Sequence, residues 1–113
     1  MERQHSSARI SGCLKLLSDQ TRLLMMKLMQ QKEYCVCEFT EIFETSQPGI
    51  SQHLRKLKNA GLVNERRQGQ WRFYSINSSR PEYALIESIL QQIDEKDEEL
   101  QALRQKESRI SCR

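Results

Sequence analysis

No stretch of the sequence approaches the about 18 consecutive apolar residues that a membrane span needs, and the opening "MERQHSSARI" has no apolar core of the kind a secretory signal carries. A cytoplasmic protein without a membrane partner is expected. The motifs of the common catalytic machineries are also missing. There is no nucleophile elbow, no glycine-rich phosphate loop, and no acid and base spaced to share a pocket, so the chain is not expected to be an enzyme. Internal repeats and low-complexity linkers are absent too. At 113 residues the chain is one small domain, able to bury about two-thirds of its unfolded surface, and it therefore asks for a partner subunit. Four cysteines, Cys13, Cys35, Cys37 and Cys112, would suit two disulfides in a secreted chain. In a reducing compartment they point instead to thiols, metal ligands or redox chemistry.

What is present is unevenly distributed. The whole chain carries +3, but residues 47 to 75 hold Arg55, Lys56, Lys58, Arg66, Arg67 and Arg72 against Glu65 alone, a local +5 that leaves the remainder at −2. A basic block in an acidic frame is the electrostatic footprint of a nucleic-acid face; its bland alternative is a solvated basic helix.

The apolar spacing predicts a helix from Ile10 through Leu14 and Leu17, a break at "LSD", and a second helix from about Gln20 to Gln31. The second is rich enough in Leu and Met to be buried on most of its surface. A short third helix is predicted over Val36 to Glu44, with Phe39, Ile42 and Phe43 inward and Glu38, Glu41 and Glu44 outward. In "TSQPGISQHLRKLKNAGLV", Ser46 caps a fourth helix, Pro48 suits its first turn, Ile50, Leu54 and Leu57 form an apolar row, and Gly61 stops it. Its other face offers Gln47, Ser51, Gln52, His53, Arg55, Lys56 and Asn59, side chains that reach base edges and phosphates. "LVNERRQGQWRFYSIN" reads as a basic β-hairpin turning at Gln68-Gly69. After Pro81 a long helix is predicted to about Lys106, its stripe of Ile86, Ile93 and Leu100 left for a partner subunit.

Helix, turn, helix and basic hairpin is the order of a winged helix-turn-helix. The predicted fold is mainly α with a β-hairpin wing, dimeric, with residues 1–9 as a disordered arm, 10–106 as the winged domain with dimerisation helices at both ends, and 107–113 as a flexible tail. Gln47, Ser51, Gln52 and His53 are the candidate base readers. Arg55, Lys56, Arg67 and Arg72 are the candidate phosphate contacts. His53 has no carboxylate or cysteine at ligand spacing, Trp71 and Tyr74 suit anchoring of the wing, and Cys13 suits buried filler.

The cysteines of "EYCVCEF" are harder to place. On a helix, positions i and i+2 point about 200° apart, so sharing one ion would require the helix start to distort. Soft thiolates suit soft ions and exclude magnesium or calcium; a redox switch is the competing use.

"LSDQTRLLMMKLM", "EYCVCEF", "SQPGISQHLRKLKNAGLV" and "RRQGQWRFYSI" together resemble the arsenic-repressor (ArsR/SmtB) family of metal-sensing bacterial transcription factors, in particular its arsenite-responsive type, over roughly residues 10 to 105. The resemblance implies a homodimeric repressor that sits on an inverted repeat in the operator of its own metalloid-resistance operon. It also implies As(III) or Sb(III) as inducer at Cys35 and Cys37. A repressor of the same fold answering to thiol oxidation or to Cd(II) or Pb(II) is the alternative, and an adaptor dimer that binds protein is the second class. Arsenite-type members often carry a third cysteine three residues after the second; that place is Thr40 here. The third ligand is then Cys13, Cys112, an external thiol, or none. The family's other site, with Asp and His on the last helix holding zinc, is not matched, because this final helix has no histidine.

Overall fold

Most of the helices begin at a side chain able to satisfy their exposed N–H groups. In the computed structural model, which describes residues 4–110, the Ser6 hydroxyl accepts from the Arg9 N–H and starts helix α1, Ser7–Leu17. Residues 7–9, predicted to belong to the N-terminal arm, lie in this helix. Asp19 likewise accepts from the Arg22 N–H and starts α2, Gln20–Met29. Met25, Met26 and Leu28 of α2 have no exposed surface, and at about 1.5–3 kcal/mol per fully buried side chain they make this helix the centre of the core.

Two residues, Tyr34–Cys35, then form β1 before α3, Val36–Phe43. This strand is too short to show as an alternating pattern. Glu44 ends α3 in the left-handed region at φ 51°, its N–H returning to the Thr40 carbonyl. Ser46 caps α4, Gln47–Asn59, by accepting from the Gly49 N–H. Ile50, Leu54 and Leu57 of α4 are fully buried together with Phe39 of α3, so the predicted apolar row is the face on which the two helices pack. Gly61, at φ 81°, ends the helix region as predicted.

Strands β2, Val63–Gln68, and β3, Trp71–Ile76, pair antiparallel with Gln68 opposite Trp71. The turn is thus Gly69-Gln70, one residue later than predicted, because Gly69 supplies the positive φ of 61°. β3 also pairs with β1, Cys35 facing Phe73, giving a three-stranded sheet in the order β1-β3-β2.

The predicted long C-terminal helix is two helices: α5, Tyr83–Gln91, and α6, Glu98–Glu107. Aspartates break it. The Asp94 carboxylate accepts from the Lys96 N–H at 2.8 Å and the Asp97 carboxylate from the Leu100 N–H at 3.0 Å, local bonds that compete with the helix ladder. Negative charge at a helix C-terminus is also unfavourable, and at an N-terminus favourable. The chain leaves α5 at Gln91, just before the first aspartate, and restarts at the second. α6 folds back across α3, where Tyr34 donates to Glu107 at 2.7 Å and Lys106 pairs with Glu44. Consequently Ile86 and Leu100, predicted to await a partner subunit, are 2% and 0% exposed within the monomer itself.

Candidate functional site

α4 and the wing present the predicted DNA residues in two groups. Gln47, Gln52, Arg55, Lys56 and Arg67 are exposed, and the three cations among them make no ion pair with any described residue. Ser51, His53 and Arg72 are half-buried and engaged within the protein. Arg72 donates to the Ser51 hydroxyl at 3.4 Å and lies 3.9 Å from Glu65, so it ties the wing to α4.

His53 contacts Arg22 of α2 at 3.1 Å through Nδ1. Arginine can only donate, so Nδ1 accepts and the imidazole is neutral. Burial holds its pKa below the ordinary histidine value, with the Asp19 carboxylate pulling the other way. Of the remaining cations, Arg66 is committed to Glu33 at 2.6 Å and stacks on Phe73, while Lys58 pairs with Glu65 at 2.9 Å. Glu65 also accepts from the Tyr74 hydroxyl at 2.5 Å, and that bond, with Lys58, holds its carboxyl below the usual value.

The two cysteines are not on opposite sides of a helix. Cys35 is the extended N-cap of α3, at φ −89° and ψ 160°, and only Cys37 lies in the first turn. The sulfurs therefore converge to 2.9 Å, which overturns the predicted need for distortion. Glu38 secures this arrangement by accepting from the Cys35 N–H at 2.9 Å. That is why Glu38, predicted to point outward, is only 7% exposed. Two thiolates holding one soft ion at bonds of about 2.3 Å, with zinc as yardstick, need sulfurs within roughly 4 Å, and this pair meets the requirement.

A cavity of about 280 Å³ opens beside the pair, lined by Val36, Thr40, Gln47, Trp71 and Arg72 among others. The thiols thus share a wall with the first residue of α4 and with the wing. The sequence offered no sign of this second role for Trp71 and Arg72, since it depends on β1 pairing with β3. Cys13 is 5% exposed, in a separate depression with Leu62 and Glu82. Burial above all, and then the Glu82 carboxylate, push its thiol up, as for an inert cysteine. Among the described residues no three His, Cys, Asp or Glu side chains cluster as a metal site, and Cys112 lies outside those residues.

Residues 19–65 match the family model described as bacterial regulatory protein, arsR family. The chain is 40% identical over 79 residues to the arsenic resistance transcriptional regulator ArsR1 of Pseudomonas putida, covering 67% of this chain but only 62% of that one. It is also 40% identical over 76 residues to the arsenical resistance operon repressor of Bacillus subtilis, 66% of this chain and 72% of that one. In structure it is similar to HlyU from Vibrio cholerae, with a TM-score of 0.68 and 32% identity over 79% of this chain and 96% of that one. With its helix-turn-helix, its basic wing and relatives aligned over most of their length, the chain belongs to the arsR family of bacterial regulatory proteins.

Proposed function

We propose that this chain is a cytoplasmic, homodimeric transcriptional repressor of an arsenical-resistance operon, and that As(III) or Sb(III) held by Cys35 and Cys37 releases it from an inverted-repeat operator. The observation that carries the reading is the 2.9 Å thiol pair set in a cavity whose other walls are Gln47, Trp71 and Arg72. Gln47 and Gln52 read base edges, while Arg55, Lys56 and Arg67 hold phosphates. Loading is an exchange without electron transfer. The two thiols replace two hydroxyls of As(OH)3, and two waters leave.

Because the sulfurs already converge, the coupling does not require unwinding of α3. It comes from the space that the arsenic centre and its remaining substituent take between α3, α4 and the wing. A ligand held best when Trp71 and Arg72 are displaced shifts the population away from the DNA-competent shape. A hundredfold loss of operator affinity needs about 2.7 kcal/mol of such coupling.

The test is the double change Cys35→Ser and Cys37→Ser, which is expected to retain operator affinity and lose release by arsenite. Release at the wild-type arsenite concentration would move the sensor elsewhere. The same sulfur separation favours one second reading, oxidation of the pair to a disulfide by a peroxide, and peroxide-driven release reversed by dithiothreitol would select it. Dimerisation is assigned to α1 and α5 rather than to the covered C-terminal stripe. Leu14, 51% exposed on α1, lies one turn from Ile10, which shares a depression with the half-buried Leu85 of α5. Leu14→Asp is expected to sediment as a folded monomer with weak operator binding.

A further inference from the structure

Trivalent arsenic makes three bonds, and this site supplies two sulfurs. At the third cysteine place stands Thr40, whose hydroxyl is occupied in donating to the Cys37 carbonyl at 2.7 Å. Cys13 is buried in a different depression, and no other His, Cys, Asp or Glu among the described residues completes the set. In place of a third ligand there is space. The cavity of about 280 Å³ corresponds to roughly nine waters at about 30 Å³ each, and Val36 and Trp71 give it apolar wall.

Inorganic arsenite bound here keeps a hydroxide that exchanges with solvent thiols. An arsenical with one As–C bond has nothing left to exchange once two thiols are attached, and its organic group goes where the third cysteine would otherwise be. We infer that the Cys35–Cys37 pocket is built for monosubstituted organic trivalent arsenicals, R–As(III), in preference to inorganic arsenite, with the organic group seated against Val36 and Trp71. The step balances as R–As(OH)2 plus two thiols giving R–As bound to two sulfurs plus two waters, with no change of oxidation state. This rests on the proposal that the thiol pair is the sensor.

Trp71 is the chain's one tryptophan and lines the pocket, so its fluorescence reports occupancy independently of DNA release. Titration of the full-length chain with phenylarsine oxide and with sodium arsenite is expected to show at least tenfold tighter binding of the phenyl compound. Thr40→Cys, which adds the third thiol, is expected to strengthen arsenite binding at least tenfold while leaving phenylarsine oxide within twofold or weaker. Thr40→Val, which keeps the shape but removes the hydroxyl, is expected to shift neither ligand. Equal affinity of the two ligands for the wild type overturns the inference, as does a Thr40→Cys chain that folds and gains nothing for arsenite. Arsenite binding weakened by Thr40→Val would make the hydroxyl a ligand, and arsenite binding weakened by Cys112→Ser would make that thiol one; either result also overturns it. If neither compound perturbs Trp71, or if the Cys35→Ser and Cys37→Ser chain responds like the wild type, the thiol-pair reading falls instead.

Discussion

Two groups of cations in this small domain are treated in opposite ways. Around α1, α2, α5, α6 and their connections, Lys27 and Arg104 share Glu95 at 3.1 and 3.2 Å, Arg9 and Arg80 share Glu82 at 3.5 and 3.3 Å, and Lys32 meets Glu107 at 3.4 Å. On α4 and the wing, Arg55, Lys56 and Arg67 stand exposed with no carboxylate from the described residues. Exposed ion pairs are worth about 0–1 kcal/mol, so leaving these cations unpaired sacrifices little stability. It keeps their full charge for releasing counterions from a duplex. The wing makes the distinction within two residues, since Arg66 is spent on Glu33 and its neighbour Arg67 is not.

The comparison can be broken most forcefully from the paired side. Leu100→Ala, which opens a void under the returning α6, is expected to cost about 2–5 kcal/mol by urea denaturation. It should leave operator preference unchanged wherever the chain is folded, and a specificity change without lost stability would mean that α6 takes part in recognition. Next in size, Gln52→Ala is expected to cost about 1–3 kcal/mol at one operator position; uniform weakening across sequences would deny it a reading role. Arg67→Ala should weaken all duplexes alike and reduce the salt slope by about 1, whereas Arg66→Ala should barely move that slope. Equal slopes for the two variants would erase the distinction between paired and unpaired arginines.

The smallest effect concerns acid. Glu65 titrates below its ordinary 4.5, held down by its bonds from Tyr74 and Lys58. Its contribution to stability is therefore complete above about pH 4.5 and is lost as pH falls through the lower folded-state value. Glu65→Gln should flatten that part of the acid-unfolding curve and lower stability at pH 7 by the same increment.

How much of this could be read beforehand depended on how local the cause was. Ser46, Pro48, the Ile50-Leu54-Leu57 row and Gly61 define α4 through contacts within a few residues, and the hairpin follows from its own turn. The convergence of Cys35 and Cys37 could not be read from spacing. It requires Cys35 to be a strand residue, and β1 exists only because β3, nearly forty residues later, pairs with it. Glu38 was misplaced for a related reason, since a carboxylate in a first turn serves the cap before it serves solvent. The division of the C-terminal helix was legible in part. Asp94 and Asp97 stand in the sequence, but apolar periodicity alone says nothing about whether such carboxylates are tolerated or break the ladder.

The return of α6 across α3 has a mechanical consequence. α3 is clamped along one flank by α6 and braced along another by α4, while the Tyr34–Glu107 bond and the β1–β3 pairing hold the residues just before it, so it behaves as a stiff beam. A load applied beside Cys35 and Cys37 cannot be relieved by letting the beam slide backwards. The compliant parts nearby are the two-residue hairpin turn and the half-buried side chains of Trp71 and Arg72. Under the proposed sensing, displacement at the pocket would be delivered to them, and the DNA-facing front of the molecule would move.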